Sequence, residues 1–146
     1  MILPDEAATH AAGAALAGAL RAGDVVLIEG PLGAGKTTLV RGLLDALGHA
    51  GEVPSPSFAI VQPYEALALP LWHADLYRIE HPDELDELGL DTILADGVLV
   101  VEWPERAGEG GWGDTSLRLS LEPLPDGARR LTVTPGQGWE GRCPLP

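Results

Sequence analysis

Residues 30–37 read Gly-Pro-Leu-Gly-Ala-Gly-Lys-Thr and carry the clearest chemical meaning in the chain. They fit the pattern Gly-x-x-x-x-Gly-Lys-Ser/Thr, in which glycines allow backbone N–H groups to converge on phosphate oxygens. In this pattern Lys36 supplies a positive charge for the outer phosphates, and the Thr37 hydroxyl is placed to ligate a magnesium ion. The run therefore predicts a binding site for a nucleoside triphosphate.

A phosphate-binding loop needs a buried strand before it and a helix after it. Residues 24–29 form a short β-branched, apolar run that is typical of a strand covered on both faces. Residues 36–47 carry apolar side chains at helical spacing, and Gly48 follows where helices commonly end. The sequence thus predicts that the loop leads directly into a helix N-terminus.

Nucleotide hydrolysis also needs an acidic residue at the end of a buried strand, where it can organise a metal ion and an attacking water. Glu102 closes the apolar run 98–101, and Asp75 closes a weaker strand candidate, 69–75. We predict both as catalytic candidates. His73 and Arg78 lie nearby, although a packed histidine and a surface-paired arginine are the ordinary alternatives.

Ser55 and Ser57 alternate with prolines about twenty residues after Lys36. Many nucleotide-hydrolysing proteins place a mobile segment that senses the terminal phosphate at this point of the chain. A stiff turn explains the same residues equally well, so both interpretations stay open.

The composition describes one compact domain with a real core: 146 residues, of which 45% are hydrophobic. We predict a single domain over residues 1–135, followed by an irregular or disordered tail over residues 136–146. Cys143 is the single cysteine, which excludes an internal disulfide and suits the cytoplasm. From the composition of residues 1–20 we expect neither a signal peptide nor a membrane segment. A formal charge of −13 with no basic block disfavours strong direct binding to nucleic acid, although a basic protein partner would be attracted.

The remaining periodic segments predict further elements. Residues 7–20 suit a helix capped by Asp5, whose alanine-rich face we expect to pack on the sheet. Residues 58–61 suit a strand and residues 82–88 a short helix. Two alternating runs, 117–121 and 130–134, suit an antiparallel pair. The fold class predicted is a P-loop NTPase of three α/β/α layers, with a mostly parallel central sheet and antiparallel C-terminal strands.

Four motifs in order resemble those of the bacterial TsaE family, the ATPase component of tRNA threonylcarbamoyladenosine biosynthesis. They are the phosphate loop through Thr38, Ser-Pro-Ser-Phe at 55–58, His-Ala-Asp-Leu-Tyr-Arg at 73–78 and Val-Glu-Trp-Pro-Glu-Arg at 101–106. The resemblance covers roughly residues 1–106 and is more specific than the loop alone.

This resemblance implies an ATP- and Mg²⁺-binding protein that hydrolyses ATP slowly alone and faster within a complex with TsaD and TsaB, two sugar-kinase-like proteins. It assigns Thr37 and Glu102 to the metal and Lys36, Asp75 and Glu102 to catalysis. It makes 55–57 a switch segment, and it places Asp5, Glu6 and Thr9 loosely near the base. The residues it assigns to the nucleotide phosphates are Gly33, Ala34, Gly35, Lys36, Thr37 and Thr38.

Two departures from the family pattern stand out. Pro31 replaces a frequent acidic residue and removes one backbone N–H at the rim of the loop, and Ser57 replaces a frequent threonine. We expect phosphate binding to survive, because the N–H groups from Gly33 onward remain.

Two other functions fit the same residues. In a small-molecule kinase, Asp75 would accept a proton from a substrate hydroxyl, although the chain offers few arginines for a lid. In a nucleotide-gated adaptor, ATP would order the 55–57 segment for partner docking and hydrolysis would be incidental. A regulatory GTPase is disfavoured, because the sequence lacks an Asn-Lys-x-Asp stretch to read guanine.

Overall fold

One mixed sheet of seven strands organises the described part of the chain. The structure is a computed structural model and describes residues 1–51, 53, 61–79, 89–107 and 112–145. In chain order the elements are β1 (Ile2–Leu3), α1 (Glu6–Ala17), β2 (Val25–Glu29), α2 (Lys36–Ala46), β3 (Val61–Tyr64), β4 (Leu71–Asp75), α3 (Leu90–Asp96), β5 (Val98–Glu102), β6 (Ser116–Pro123) and β7 (Arg129–Pro135).

The strand order across the sheet is β1-β7-β6-β2-β5-β4-β3. The four inner strands β6, β2, β5 and β4 run parallel to one another, and antiparallel strands flank them at both edges. The predicted parallel centre and antiparallel C-terminal strands are both present, whereas the antiparallel pairing of β3 with β4 and of β1 with β7 was not predicted. The predicted C-terminal hairpin is present as β6 and β7, but β6 also pairs in parallel with β2.

Helices cover both faces of the sheet. Val26 and Ile28 of β2 belong to the same core cluster as Leu39 of α2, whereas Val25 and Leu27 share a second cluster with Ile93 of α3. Strand β2 is thus apolar on both faces because both faces are covered. The result is a layered α/β arrangement with α1 and α2 on one side and α3 on the other.

Helix α1 begins at the predicted cap, where Asp5 Oδ1 accepts a hydrogen bond from the Ala8 backbone N–H at 2.8 Å. Its closest approach is to α2, and its Ala12 and Leu16 also join the core cluster that contains the strand residues Val26 and Ile28, as expected for the alanine-rich face. The helices meet at Gly13 and Gly42. A Cβ added at Gly13 would lie 1.9 Å from the carbonyl oxygen of Leu39, and one at Gly42 would lie 1.9 Å from that of His10. Only glycine allows this approach.

Several predicted segments fall outside the described residues. They are the 82–88 helix, most of the 58–61 strand, and Ser55 and Ser57. Strand β3 begins at Val61, the last residue of that predicted strand. Among the described residues, no helix has the length and apolarity required to cross a membrane.

The residues after β7 are irregular except for a 3-10 turn over Gln137–Trp139, and they pack on the body of the fold. Trp139 is fully buried in the core cluster that contains Val26, Ile28 and Leu39. Arg142 stacks 3.8 Å from the Trp139 ring and reaches the buried Asp24, with Nη2 2.5 Å from Oδ1. Residues through Leu145 therefore contact the same core as the sheet.

Candidate functional site

The loop between β2 and α2 depends on glycines with left-handed backbone angles. Gly33 has a φ of 77° and Gly35 a φ of 100°, values that side-chain-bearing residues rarely adopt. Gly35 caps α2, so Lys36, Thr37 and Thr38 form the first turn of the helix. The backbone N–H groups of a first turn have no acceptor within their own helix, and they face the end that attracts anions. The loop therefore has the backbone of an anion-binding turn.

Lys36 is the only lysine of the chain, and its ammonium lies against the loop itself. Nζ donates to the carbonyl oxygens of Gly30 at 2.5 Å and Pro31 at 2.9 Å, and it lies 4.3 Å from the centre of the Trp103 ring. Burial lowers the pKa of Lys36, while the negative charges of Glu102 and Asp75 oppose that shift. The amine is thus held at the loop among two carboxylates and an aromatic face.

Asp75 and Glu102 end neighbouring parallel strands and lie opposite each other in register. The carboxyl ends of parallel strands share one edge of the sheet, so both acids face the loop that leaves β2 at the same edge. Burial raises the pKa of Asp75, although the Tyr77 N–H, which donates to Asp75 Oδ1 at 2.9 Å, acts in the opposite direction. The sheet therefore brings together the two acids predicted from strand ends.

His73 forms a buried pair with Glu102. Its Nε2 lies 2.5 Å from Glu102 Oε2, and both side chains are almost fully enclosed. The other ring nitrogen, Nδ1, has no hydrogen-bond partner in the described parts of the chain. The pair fixes the direction of the Glu102 carboxylate, because the imidazole donates to one of its oxygens.

A cavity of about 420 Å³ joins these groups. Residues 33–38 of the loop and first helical turn line it, and so do Asp75, Glu102 and Trp103. Arg78, weighed from sequence as a phosphate contact or a surface residue, also lines it. Sequence reasoning missed Arg129, the first residue of β7, which also lines the cavity. No local motif marks Arg129, since its place depends on how the last strands join the sheet.

Trp103 holds a strained backbone at the cavity wall. Its φ of 59° is unusual for a bulky residue, and it directly follows Glu102. The centre of its ring lies 4.8 Å from that of the Tyr77 ring, and the Trp103 backbone N–H donates to the Ile28 carbonyl oxygen at 3.3 Å. The turn places the indole over Lys36 rather than in the interior of the sheet.

The oxygen donors at the cavity suit a magnesium ion. Thr37 supplies a hydroxyl and Glu102 a carboxylate, and both line the same space. Mg²⁺ prefers oxygen ligands and retains waters or substrate phosphates in the remaining positions, so two protein ligands are sufficient. Among the described residues, no group of three or more His, Cys, Asp or Glu side chains is placed to hold a metal ion.

Fold and cavity together define a mixed α/β protein in which a Gly-x-x-x-x-Gly-Lys-Thr loop faces two carboxylates at strand ends. The model of the family described as threonylcarbamoyl adenosine biosynthesis protein TsaE matches residues 3–131. The chain belongs to the TsaE family, which takes part in tRNA threonylcarbamoyladenosine biosynthesis. The resemblance drawn from the four motifs is therefore confirmed.

Individual relatives agree with this membership. The tRNA threonylcarbamoyladenosine biosynthesis protein TsaE of Streptomyces coelicolor is 45% identical over 135 residues, covering 87% of this chain and 90% of that protein. The protein of the same name from Bacillus subtilis is 40% identical, covering 83% and 76%. The crystal structure of Bacillus subtilis YdiB matches with a TM-score of 0.82 at 32% identity, covering 98% of this chain and 89% of that one.

Proposed function

We propose that this chain is a P-loop ATPase that binds ATP with Mg²⁺ and serves threonylcarbamoyl modification of tRNA adenosine. One observation carries the proposal: a single cavity of about 420 Å³ is lined by the loop residues 33–38, by Lys36 and by the carboxylates of Asp75 and Glu102. This is the set of groups that nucleotide hydrolysis needs: an anion cradle, a cation and acids at strand ends.

Each group has a role in this proposal. Backbone N–H groups of residues 33–38 bind phosphate oxygens, and the Lys36 ammonium exchanges its loop carbonyl partners for the outer phosphates. Thr37 and Glu102 would hold Mg²⁺, which would supply positive charge to offset that of the transferred phosphoryl group. His73 keeps Glu102 directed, and Asp75 Oδ2 accepts a hydrogen bond from the attacking water. The raised pKa of Asp75 makes it a better proton acceptor than an exposed aspartate.

We propose TsaD-like and TsaB-like proteins as partners, in the cytoplasm. Support for this comes from family membership and from charge. The formal charge of −13 opposes tight contact with tRNA, so a protein complex is the better means of reaching the nucleic acid. A basic surface on the partner proteins would accelerate association with this acidic chain.

Phosphate release from ATP and Mg²⁺, measured with and without purified TsaD and TsaB, tests the proposal. We expect slow release alone and faster release with both partners. Lys36→Ala should abolish tight ATP binding, whereas Glu102→Gln should retain bound nucleotide and lose magnesium-dependent hydrolysis. Partner binding without turnover would instead support a nucleotide-gated adaptor, and phosphate transfer to an added small hydroxyl compound would support a kinase.

A second measurement reports binding without hydrolysis. Because Lys36 is the only lysine, an amine-reactive reagent can modify only Lys36 and the N-terminal amine. We expect ATP to protect Lys36 and leave the N-terminus reactive, as peptide masses would show. If ATP left the extent of Lys36 modification unchanged, the result would contradict the role given to Lys36.

A further inference from the structure

Arg129 lies against the phosphate loop at the side of the cavity that β7 forms. A Cβ built on Gly35 would lie only 3.0 Å from Arg129 Nε and 3.2 Å from Cζ. Gly35 therefore lets the guanidinium lie flat on the loop, and any larger residue would displace it. Both Gly35 and Arg129 line the cavity. This contact joins the first residue of β7 to the N-cap of α2.

The guanidinium is anchored but not neutralised. Its Nη1 donates to Thr9 Oγ1 at 3.2 Å, and the buried Thr9 hydroxyl in turn donates to the Asp5 carbonyl oxygen at 3.2 Å. Within the described ranges no carboxylate forms an ion pair with Arg129, whereas its neighbour Arg130 pairs with Glu122 at 3.3 Å. Arg129 thus keeps its charge and most of its five N–H donors for another group.

The sheet order gives this cation a definite place along a bound nucleotide. Strand β2 leads into the loop and lies between β5 on one side and β6, then β7, on the other. Asp75 and Glu102 belong to the β4 and β5 side, where the terminal phosphate reacts in the proposed function. A nucleotide lying along the loop with its terminal phosphate toward β5 extends its nucleoside end toward β7, where Arg129 lies.

We propose that Arg129 binds the nucleoside 5′-phosphate portion of the nucleotide, with its guanidinium donating to oxygens of the first phosphate. The inference rests on the proposed function and adds to it a binding residue from the last strand of the sheet. Arginine suits this place because its planar fork can hold Thr9 with one N–H and a phosphate oxygen with others. ATP and ADP both carry this first phosphate, so the contact contributes to nucleotide affinity and not to the chemistry at the terminal phosphate.

Titration calorimetry of ATP and ADP with the whole chain tests the proposal, with Arg130→Ala as a matched control. Arg130→Ala removes the same charge from the adjacent, exposed position. We expect Arg129→Ala to raise both dissociation constants about tenfold or more, by similar factors, as loss of a charged hydrogen bond does. We expect Arg130→Ala to change neither by more than about twofold, because exposed ion pairs contribute little.

Unchanged affinities in Arg129→Ala, a loss confined to ATP, or an equal loss in Arg130→Ala would overturn the inference while leaving the proposed function standing. Wild-type protein that binds neither nucleotide would overturn the proposed function, and this inference with it. Should Arg129→Ala fail to fold, Arg129→Gln decides the question. The glutamine amide keeps an N–H donor for Thr9 but carries no charge, so Arg129→Gln should also weaken the binding of both nucleotides.

Discussion

Gly42→Ala is the substitution that the packing of α1 on α2 opposes most directly. The added Cβ would lie 1.9 Å from the His10 carbonyl oxygen and 2.7 Å from its carbonyl carbon. Both atoms are backbone, so no side chain can rotate away to relieve the overlap. The distance must grow to about 3 Å, which separates the two helices by about 1 Å along their contact.

The expected loss of stability follows from two opposing effects. Overpacking a tight interface costs about 1–3 kcal/mol, and a backbone-to-backbone overlap belongs at the upper end. Alanine in a helix interior is better than glycine by about 1 kcal/mol, which offsets part of that cost. We therefore expect the free energy of unfolding to fall by about 2 kcal/mol. For a chain of this size the corresponding fall in Tm is about 8 °C, from roughly 4 °C per kcal/mol.

Thermal and urea unfolding of Gly42→Ala beside Gly18→Ala measures this effect. Gly18 has an ordinary helical φ of −69° at the end of α1, and an added Cβ there would have no neighbour within 4 Å. Gly18→Ala should therefore stabilise the protein, by about 0.4–1 kcal/mol. The two variants make the same chemical change in the same pair of helices with opposite expected signs.

A Tm for Gly42→Ala equal to or above that of the wild type would refute the reasoning, because the helices could then separate at no cost. The substitution also bears on the cavity. His10 follows Thr9, the residue that anchors Arg129, so a displaced α1 should move that anchor. We expect weaker nucleotide binding in Gly42→Ala together with the lower Tm.

Two further predictions concern the acids at the strand ends. His73→Ala should lower the free energy of unfolding by about 3–5 kcal/mol, because it leaves the buried Glu102 carboxylate without its partner. His10→Ala, which breaks the exposed pair with Asp45, should lower it by less than about 1 kcal/mol. Urea unfolding of both variants measures the contrast, and equal losses would contradict the burial argument. Asp75→Asn should raise Tm at pH 7, because burial holds the pKa of Asp75 above its ordinary 3.8 and the ionised carboxylate therefore destabilises the native state. That gain should shrink as the pH falls through the raised pKa and vanish below 3.8, where Asp75 is protonated in both states; a gain that stays constant from pH 7 toward pH 4 would count against it.

Local signals were sufficient for the central elements of the fold. The apolar run into β2, the glycines of the loop, the helical spacing of α2 and the apolar run of β5 are each a pattern contained in a short stretch of sequence. Such patterns identify β2 and β5 because both faces of these strands are covered, so each strand is a continuous apolar run and does not alternate between apolar and polar residues. For the same reason Asp75 and Glu102 could be placed at strand ends before their mutual register was known.

Long-range pairing decided what the sequence could not show. Strand β1 is only two residues long and has no periodicity, and it exists because β7 accepts it at the edge of the sheet. The parallel pairing of β6 with β2 is equally invisible locally, since an alternating run suits either direction of neighbour. Arg129 enters the cavity only through that pairing. The buried pair of His73 and Glu102 likewise depends on β4 lying beside β5.

The position of β2 in the middle of the sheet has a consequence for how the cavity is completed during synthesis. A growing chain carries the whole glycine loop once residue 37 has been made, but the strands that flank β2 are residues 98–102 and 116–123. Contacts between such distant segments form slowly and only when both are present. A ribosome-bound fragment that ends before β6 therefore has the loop and both acids but lacks the Arg129 side of the cavity, which is completed only when the C-terminal strands join the sheet.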